Sequence, residues 1–580
     1  MKKLIPFVLL AVAAVVIARG AFQAVVPPTK PLSKFIPAGA LLFIEAKDLK
    51  GLLSDWDESK EKQSWLKSDS HSVFTRSRLL LRLEEAQGEF AKAAGVPPDS
   101  KFISEAAGGQ SAIALYDIGK LEMLYISRLS SSQSARSALW QQKGKFSERK
   151  AGNNTFYVRR DEESGRVMAF AATDDFLILA TREDIIAGAL TLLANGTQAT
   201  IEGEKWFADS ISASGEQGDL RMVLNMERIA VDPRFRTYWV QQNITEMQQY
   251  RAAISDLYLN GSTYREERVL LRKGEVAEQG GSSAETDALV VRLSGFVPDD
   301  YGFYHANAKP APEAVRQDLM EKLLTRQKGQ TVERFQSAPT APGTSSGPSG
   351  DLETRIDEAP AIAGVIQAVT KDPLLDMLEH ADVKAMLEMQ SSHPLSDKYG
   401  VFVGIRSAVL LVAAGWDEAS VRTVLQHAIK PGITVSELGV SWKTIKTDAG
   451  EYQELNGLVP LLVTVRGQYL LIADDADLMS VLLAIMRSNV SAKPALKPAV
   501  YIAEFNHTRE KAAFATLAFK LDSRVSNNNL ALPIESREPE FFSGNLTSLS
   551  RTLQKLDSES VVVRDTGNRV LQTVIYHWTQ

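Results

Sequence analysis

A chain of 580 residues, 44% hydrophobic and 23% charged, is too long for one hydrophobic core and ordinary in composition for a folded protein, so two to four domains are expected. Its formal net charge of -6 is mild for that length and does not point to a nucleic-acid binder. No cysteine is present, which excludes disulfides, thiolate zinc sites, iron-sulfur clusters and a cysteine nucleophile together.

In chain order, "MKKLIPFVLLAVAAVVIARG" comes first, with Lys2 and Lys3 ahead of an apolar run from Leu4 to Ala18. This is the n-region and h-region of an export signal, and counted on to Val26 the run approaches the length of a bilayer span. Residues 1–26 are therefore expected to be a signal peptide or a membrane anchor. The two lysines hold the N-terminus in the cytoplasm and place the rest beyond the plasma membrane, periplasmic if anchored or secreted if cleaved. The four prolines of "VVPPTKPLSKFIP" read as an extended spacer.

Next comes "IPAGALLFIEAKDLKGLLSDW", a strand, a polar turn and an apolar-spaced helix. "DLRMVLNMERIA", "DDYGFYHANAKPAPEAVRQDLMEKLL" and "KPAVYIAEFNHTREKAAFATL" have the same shape. The segment Ser337 to Asp351, "SAPTAPGTSSGPSGD", is almost wholly Ser, Thr, Pro, Gly and Ala, which buries too little apolar surface to fold and reads as a flexible linker. It divides the chain into a first module over 27–336, with extra C-terminal strands, and a second over 352–580.

The two parts resemble each other. "DDFLILATREDIIAGALTLL", Asp174 to Leu193, lies over "GQYLLIADDADLMSVLLAIM", Gly467 to Met486. Phe176 to Ala180 and Tyr469 to Ala473 each make a strand covered on both faces, followed by Thr181 or Asp474 as helix N-cap and by Asp184 or Asp477 three residues on. Apolar residues then recur at helical spacing in both copies. Upstream lie hairpins around the Glu-Ser-Gly turn at Gly165 and around Asn456-Gly457. Further back, "LEMLYISRLSSSQSARSALW" lies over "SAVLLVAAGWDEASVRTVLQ" at a shift of 286 (Leu121 to Ser407), each a strand and then a helix. Ala135, Ala138 and Leu139, or Val421, Val424 and Leu425, would face inward. A loop insertion near "KPGITVSELG" accounts for the change of shift between the blocks. Short hairpins make antiparallel strands, so the expected class is α+β: two related modules, each an antiparallel sheet with helices packed on one face, behind an N-terminal membrane or signal helix.

With Pro37, Ala38 and Ala40 ahead of an aliphatic strand and Asp48-Leu49 after it, "FIPAGALLFIEAKDLKGLL" resembles the start of a family of exported or membrane-anchored bacterial proteins of unknown function. In that family Pro-Ala-x-Ala precedes duplicated β-meander modules, and "FLILATREDI" looks like the strand and helix that close one. The resemblance implies location and fold and supplies no catalytic residues.

Signatures of chemistry are few. The seven histidines, His71, His305, His380, His393, His427, His507 and His577, include no pair at the i, i+4 spacing of a helical metal site; His380 and His393 are the nearest pair. "GGQSAI" fails as a nucleophile elbow, and the Ser-x-x-Lys matches at Ser59, Ser64 and Ser147 lack the partner elements of penicillin-interacting enzymes. No phosphate-binding glycine loop occurs. "DDAD", Asp474 to Asp477, has the oxygens for a calcium ion, but helix capping explains both it and its counterpart "TRED". Trp56, Trp65 and Trp416 read as core residues. No catalytic, cofactor-binding or metal-binding residue is named, no cofactor is expected, and no nucleic-acid partner is expected. The expectation is a non-enzymatic cell-envelope protein that binds or scaffolds another envelope component, a protein partner, through duplicated modules, with the membrane engaged by the N-terminal segment. The alternatives are a carrier of an apolar ligand or lipid in a sheet-helix cavity, or an enzyme whose site is not visible in the sequence.

Overall fold

The computed structural model describes residues 31–579 apart from 68–70, 72–74, 76–77, 174, 237–246, 275–283, 325–371, 398–399, 430–440, 456–459, 489–497 and 511–555. The N-terminal export segment, the linker at 337–351 and the loop "KPGITVSELG" lie outside the described residues. No described helix is long and apolar enough to cross a membrane. The chain divides into two compact units, Met1–Gly281 with Glu504–Gln580, and Ser282–Ala503.

The first unit carries β1 (Leu42–Ala46), β2 (Ser111–Asp117), β3 (Glu122–Arg128), β4 (Ser147–Ala151), β5 (Asn154–Arg160), β6 (Val167–Thr173), β7 (Phe176–Ala180), β8 (Leu220–Leu224), β9 (Tyr250–Asn260) and β10 (Thr263–Arg272). Its helices include α1 (Leu49–Glu58), α2 (Arg78–Ala94), α3 (Ser100–Ala106), α4 (Ala138–Gln141), α5 (Glu183–Leu193) and α6 (Lys205–Ala213). The second unit carries β11 (Phe303–Ala308), β12 (Ala385–Asp397), β13 (Gly400–Val412), β14 (Trp442–Thr447), β15 (Gly450–Leu455), β16 (Leu461–Arg466) and β17 (Tyr469–Ala473), and β18 (Tyr501–Asn506) begins in it. Its helices include α7 (Ala284–Ser294), α8 (Pro312–Leu319), α9 (Pro373–Ala381), α10 (Glu418–Ile429) and α11 (Ala476–Arg487). A final hairpin, β19 (Leu556–Asp565) and β20 (Arg569–Trp578), returns to the first unit, where β20 pairs with β10.

The strand pairing of the two units repeats. In the first, the order is β8, β1, β2, β3, β7, β6, β5, β4, and β9 extends it beyond β8. In the second, β18, β11, β12, β13, β17, β16, β15 and β14 stand in the same places. The four strand-turn-helix segments of the sequence begin with β1, β8, β11 and β18, and they pair two by two.

Two parts of the expected fold class are corrected. The last two strands of the expected second module, β19 and β20, complete the antiparallel sheet of the first unit beyond β9 and β10, so the modules do not have one sheet each. Apolar alternation specifies which face of a strand is buried and is silent on which strand completes its edge. Helices also lie on both faces rather than one. In the first unit, Ile178, Ala180, Phe43 and Leu124 pack with α5 and α6 on one side, while Leu177, Leu179, Met168 and Phe170 pack with α2, α3 and α4 on the other. In the second, Leu470 and Ile472 meet α8, α9 and α10, whereas α11 packs on β13, β15 and β17 through its buried Leu478, Met479, Leu482 and Leu483. The unbroken apolar runs of β7 and β17 require this, since a strand with no polar face has to be covered twice.

Three local readings change as well. The segment expected to be an extended spacer folds at Leu32–Phe35 into one 3₁₀ turn, and Leu32 and Ile36 are fully buried. The helix after β3 breaks into two short turns because the Ser137 hydroxyl accepts the Trp140 N–H and starts a new helix; Ala135 is left exposed, while Val421 and Leu425 of α10 are buried. Finally, Ala180 faces Leu124 whereas Ala473 faces Ala408, so β3 and β13 correspond at a shift of 284 (Leu124 to Ala408), two residues from the sequence match. A two-residue slip keeps every side chain on its face, which is why the pattern could not detect it.

Candidate functional site

Two polar features of the second unit stand out, one buried and one open. The buried feature starts from the pairing of β11 with β12, which places His305 opposite Glu388 on the face covered by α8. That helix continues as a π-helical turn, Met320–Leu324, and such turns recur at functional sites because the extra residue re-aims side chains. Here it directs Lys322 at Glu388, with Nζ 2.5 Å from Oε1, and Lys322 Nζ also meets Asp318 Oδ1 at 3.0 Å. His305 Nε2 lies 3.5 Å from Glu388 Oε2, and Gln390 Nε2 donates to Oε1 at 3.3 Å. The Glu388 side chain is 1% exposed. Burial works against the Lys322 charge, yet the Glu388 carboxylate and the hydrogen bonds to Glu388 and Asp318 hold its ammonium above the ordinary lysine range. Ligand atoms of His305, Asp318 and Glu388 lie within 4.8 Å of one another, so the group has the donors for a cation, and the Lys322 ammonium already supplies one.

The open feature is a cleft of about 570 Å³ lined by Arg292, Phe296, Ala449, Gly450, Arg466, Tyr469, Leu483, Met486 and Arg487. Its residues come from α7 and the turn after it, the tip of the β14–β15 hairpin, β16, β17 and the end of α11. The rings of Phe296 and Tyr469 stand 5.6 Å apart and, with Leu483 and Met486, make an apolar floor. Arg292, Arg466 and Arg487 are exposed on its rim. Arg466 donates to the Glu451 carbonyl at 3.0 Å and Arg487 to the Asp448 carbonyl at 2.7 Å, and among the described residues none of the three pairs with a carboxylate. Gly450 lines the cleft at the hairpin tip. Its φ of 153° suits glycine, and a Cβ there would stand 3.0 Å from Arg466 Nη2 and within 3.8 Å of both Leu483 methyl carbons.

The residues singled out in sequence have structural roles. Arg182 and Asp475, not Thr181 and Asp474, stand at the N-caps of α5 and α11, and Asp475 accepts the Leu478 N–H at 2.8 Å. Thr181 and Asp474 instead close the ladder beside β3 and β13. The Thr181 hydroxyl accepts the Met123 N–H at 2.8 Å and the Asp474 carboxylate accepts the Ser407 N–H at 2.6 Å. Asp184 pairs with the Arg182 guanidinium, which also reaches Glu122 at 2.9 Å and holds the Asp184 carboxyl below its usual range. Ser59 caps a helix turn, Ser147 lies exposed on β4, and Ser111 of "GGQSAI" bonds to Ser127 at 2.9 Å. Trp56, Trp65 and Trp416 are half-buried.

Among the histidines, His380 bonds the Asp376 carbonyl, His427 the Thr423 carbonyl, and His577 the Thr263 hydroxyl. His393 faces Asp475 at 3.9 Å and shares no partner with His380. His507 faces Glu559 at 3.7 Å, and among the described residues only His305 joins two acids that could hold a cation. No sequence spacing signals that group, because its members come from two strands and a helix turn. Nor do the three cleft arginines form a motif, since Arg292 lies near the start of the unit and Arg466 and Arg487 near its end.

The first unit has its own buried ionic pair. Arg221 grips Asp256 through two hydrogen bonds of 2.7 and 2.8 Å, and Asp256 also accepts the Gly218 N–H at 2.9 Å. Glu45, beside Arg221 on β1, accepts from the Leu32 N–H at 3.0 Å and from Gln110 at 2.7 Å. Asp256 and Glu45 are thus each held by more than one donor.

No protein-family model matches the chain, and no curated protein matches it. Among solved structures, one described as crystal form I of TP0453 overlays with 11% sequence identity and a TM-score of 0.24, covering 46% of this chain and 86% of that one. An overlay at that score carries no argument about fold or function.

Proposed function

We propose that the protein is a non-enzymatic component of the cell envelope that binds another envelope component through an anionic group received in the arginine cleft. The observation that carries this reading is the convergence of Arg292, Arg466 and Arg487 on one cleft, where among the described residues their hydrogen-bond partners are backbone carbonyls only. Guanidinium groups offer planar, forked donors that match carboxylate and phosphate, and three of them with no carboxylate partner among the described residues make a field that draws an anion. A cleft of this volume is in the range of about 300–1,000 Å³ that holds small ligands or one protruding group of a larger one. The export segment supports the location, and the buried Arg221–Asp256 and Lys322–Glu388 pairs serve stability.

The test is co-purification from detergent-solubilised membranes with the wild-type chain and with Arg292→Gln/Arg487→Gln, after circular dichroism has shown equal folding. The expected outcome is retention of envelope material by the wild type, weakened by salt and lost in the variant. Equal retention by the two proteins would remove the cleft from the reading.

A further inference from the structure

Resting on that reading of the cleft as an anion receptor, we infer that its ligand is a single-chain anionic amphiphile, an acyl or alkyl chain ending in a carboxylate or phosphate. The argument comes from the two chemistries of one concavity. The rim presents Arg292, Arg466 and Arg487, and the floor presents the Phe296–Tyr469 ring pair, Leu483 and Met486. An inorganic anion or an acidic peptide would satisfy the guanidiniums and leave the floor wet. A neutral alkyl chain would cover the floor and leave the rim without a partner. A molecule with a charged head and a flexible apolar tail answers both, and Met486, unbranched and adaptable, suits a chain of variable path. Gly450 stands where rim meets floor: a Cβ there would crowd the Arg466 guanidinium at 3.0 Å and lie in ordinary contact with Leu483.

The experiment is calorimetric titration of the full chain with decyl phosphate and decanoate as monomers, with decanol, with inorganic phosphate, and with hexaglutamate as the acidic-peptide probe. Decyl phosphate and decanoate are expected to bind, with inorganic phosphate weaker by on the order of a hundredfold, which is the worth of burying about three methylenes. Decanol and hexaglutamate are expected to be weaker than decyl phosphate by about tenfold or more, the worth of one charge-assisted hydrogen bond or of the apolar contact. Arg292 has no hydrogen-bond partner to lose among the described residues, so Arg292→Gln tests the head without disturbing the hairpin; it should weaken decyl phosphate by about tenfold. Met486→Ser should weaken decyl phosphate and leave inorganic phosphate unchanged. Decyl phosphate against decanoate then separates a phosphate head from a carboxylate one. If hexaglutamate or inorganic phosphate binds as tightly as decyl phosphate, the amphiphile is overturned while the anion receptor stands. If decyl phosphate binds equally to wild type and Arg292→Gln, the amphiphile is overturned as a ligand of this cleft. If no anion binds in an Arg292-dependent way, both readings fall.

Discussion

The two copies of the repeated module use the same sheet position for opposite chemistry. In the first unit, one cross-strand row runs Ile44, Ile113, Tyr125, Leu179; in the second, the corresponding row runs His305, Glu388, Val409, Ile472. The strands correspond and the far ends of the rows are apolar in both. At the near end, one copy places two isoleucines, with Ile113 36% exposed, and the other places a histidine and a buried glutamate neutralised by Lys322. A neighbouring position is exchanged the other way, for Glu45 of the first unit corresponds to Ala306 of the second. A sheet-helix scaffold therefore tolerates a buried carboxyl group at either place, provided its hydrogen-bond partners come with it.

The sharpest way to break this comparison is Glu388→Ala. It leaves the partly buried Lys322 ammonium with Asp318 as its counter-ion and removes the nearer one, Glu388, which should cost about 2–4 kcal/mol. Replacing the group by its apolar counterpart, His305→Ile/Lys322→Met/Glu388→Ile, should return stability to near wild type. Hydrogen exchange on β11 and β12 in increasing urea reads both, and equal destabilisation by the two variants would show that the ionic group is needed for the fold.

Next in size is the cap. Asp475→Ala removes the acceptor of the Leu478 N–H and should lower stability by about 1 kcal/mol. At the corresponding position, Arg182→Ala removes no cap and breaks exposed pairs with Asp184 and Glu122, for which about 0.5 kcal/mol is expected. Urea midpoints of the two single variants decide it, and a larger loss from Arg182 would mean that its ion pairs hold the helix start.

The smallest effect is linked to pH. Burial raises the Glu45 carboxyl above its ordinary value of 4.5, against the pull of the Leu32 N–H, Gln110, Gln217 and Arg221. Between the unfolded value and the raised folded one, the folded state holds a proton that the unfolded state has released, so stability declines as pH rises through that window. Above it the cost of burying the charge is fully present, and below the unfolded value it is absent. Glu45→Gln keeps an oxygen for Leu32 and removes the charge. Its thermal midpoint should exceed that of wild type at pH 7, and the gap should close by pH 4. A gap independent of pH would assign the effect to hydrogen bonding rather than to charge.

How far the sequence could be read follows from which signals are local. The runs at Phe176 and Tyr469, with the helices after them, were legible because a strand followed by a capped helix is written within twenty residues. The duplication was legible because both copies keep that pattern. The caps were misplaced by one residue, since Thr181 and Asp474 are good capping residues and only the neighbouring strand shows that their oxygens are spent on Met123 and Ser407. The cleft was invisible. Arg292, Arg466 and Arg487 carry no spacing, and each alone reads as a solvated surface charge.

By itself, then, the sequence determined the cysteine-free character of the core, the strand and helix alternation, and the repetition of one unit, all of which follow from residue type and short-range periodicity. Tertiary structure alone decided that the sheet is covered on both faces, that β3 and β13 correspond two residues away from their best sequence match, and that three arginines meet over an apolar floor. The physical reason is the same in each case: strand registry and the convergence of distant side chains depend on pairing across the chain, and a period of two or of 3.6 residues looks identical whichever neighbour completes it.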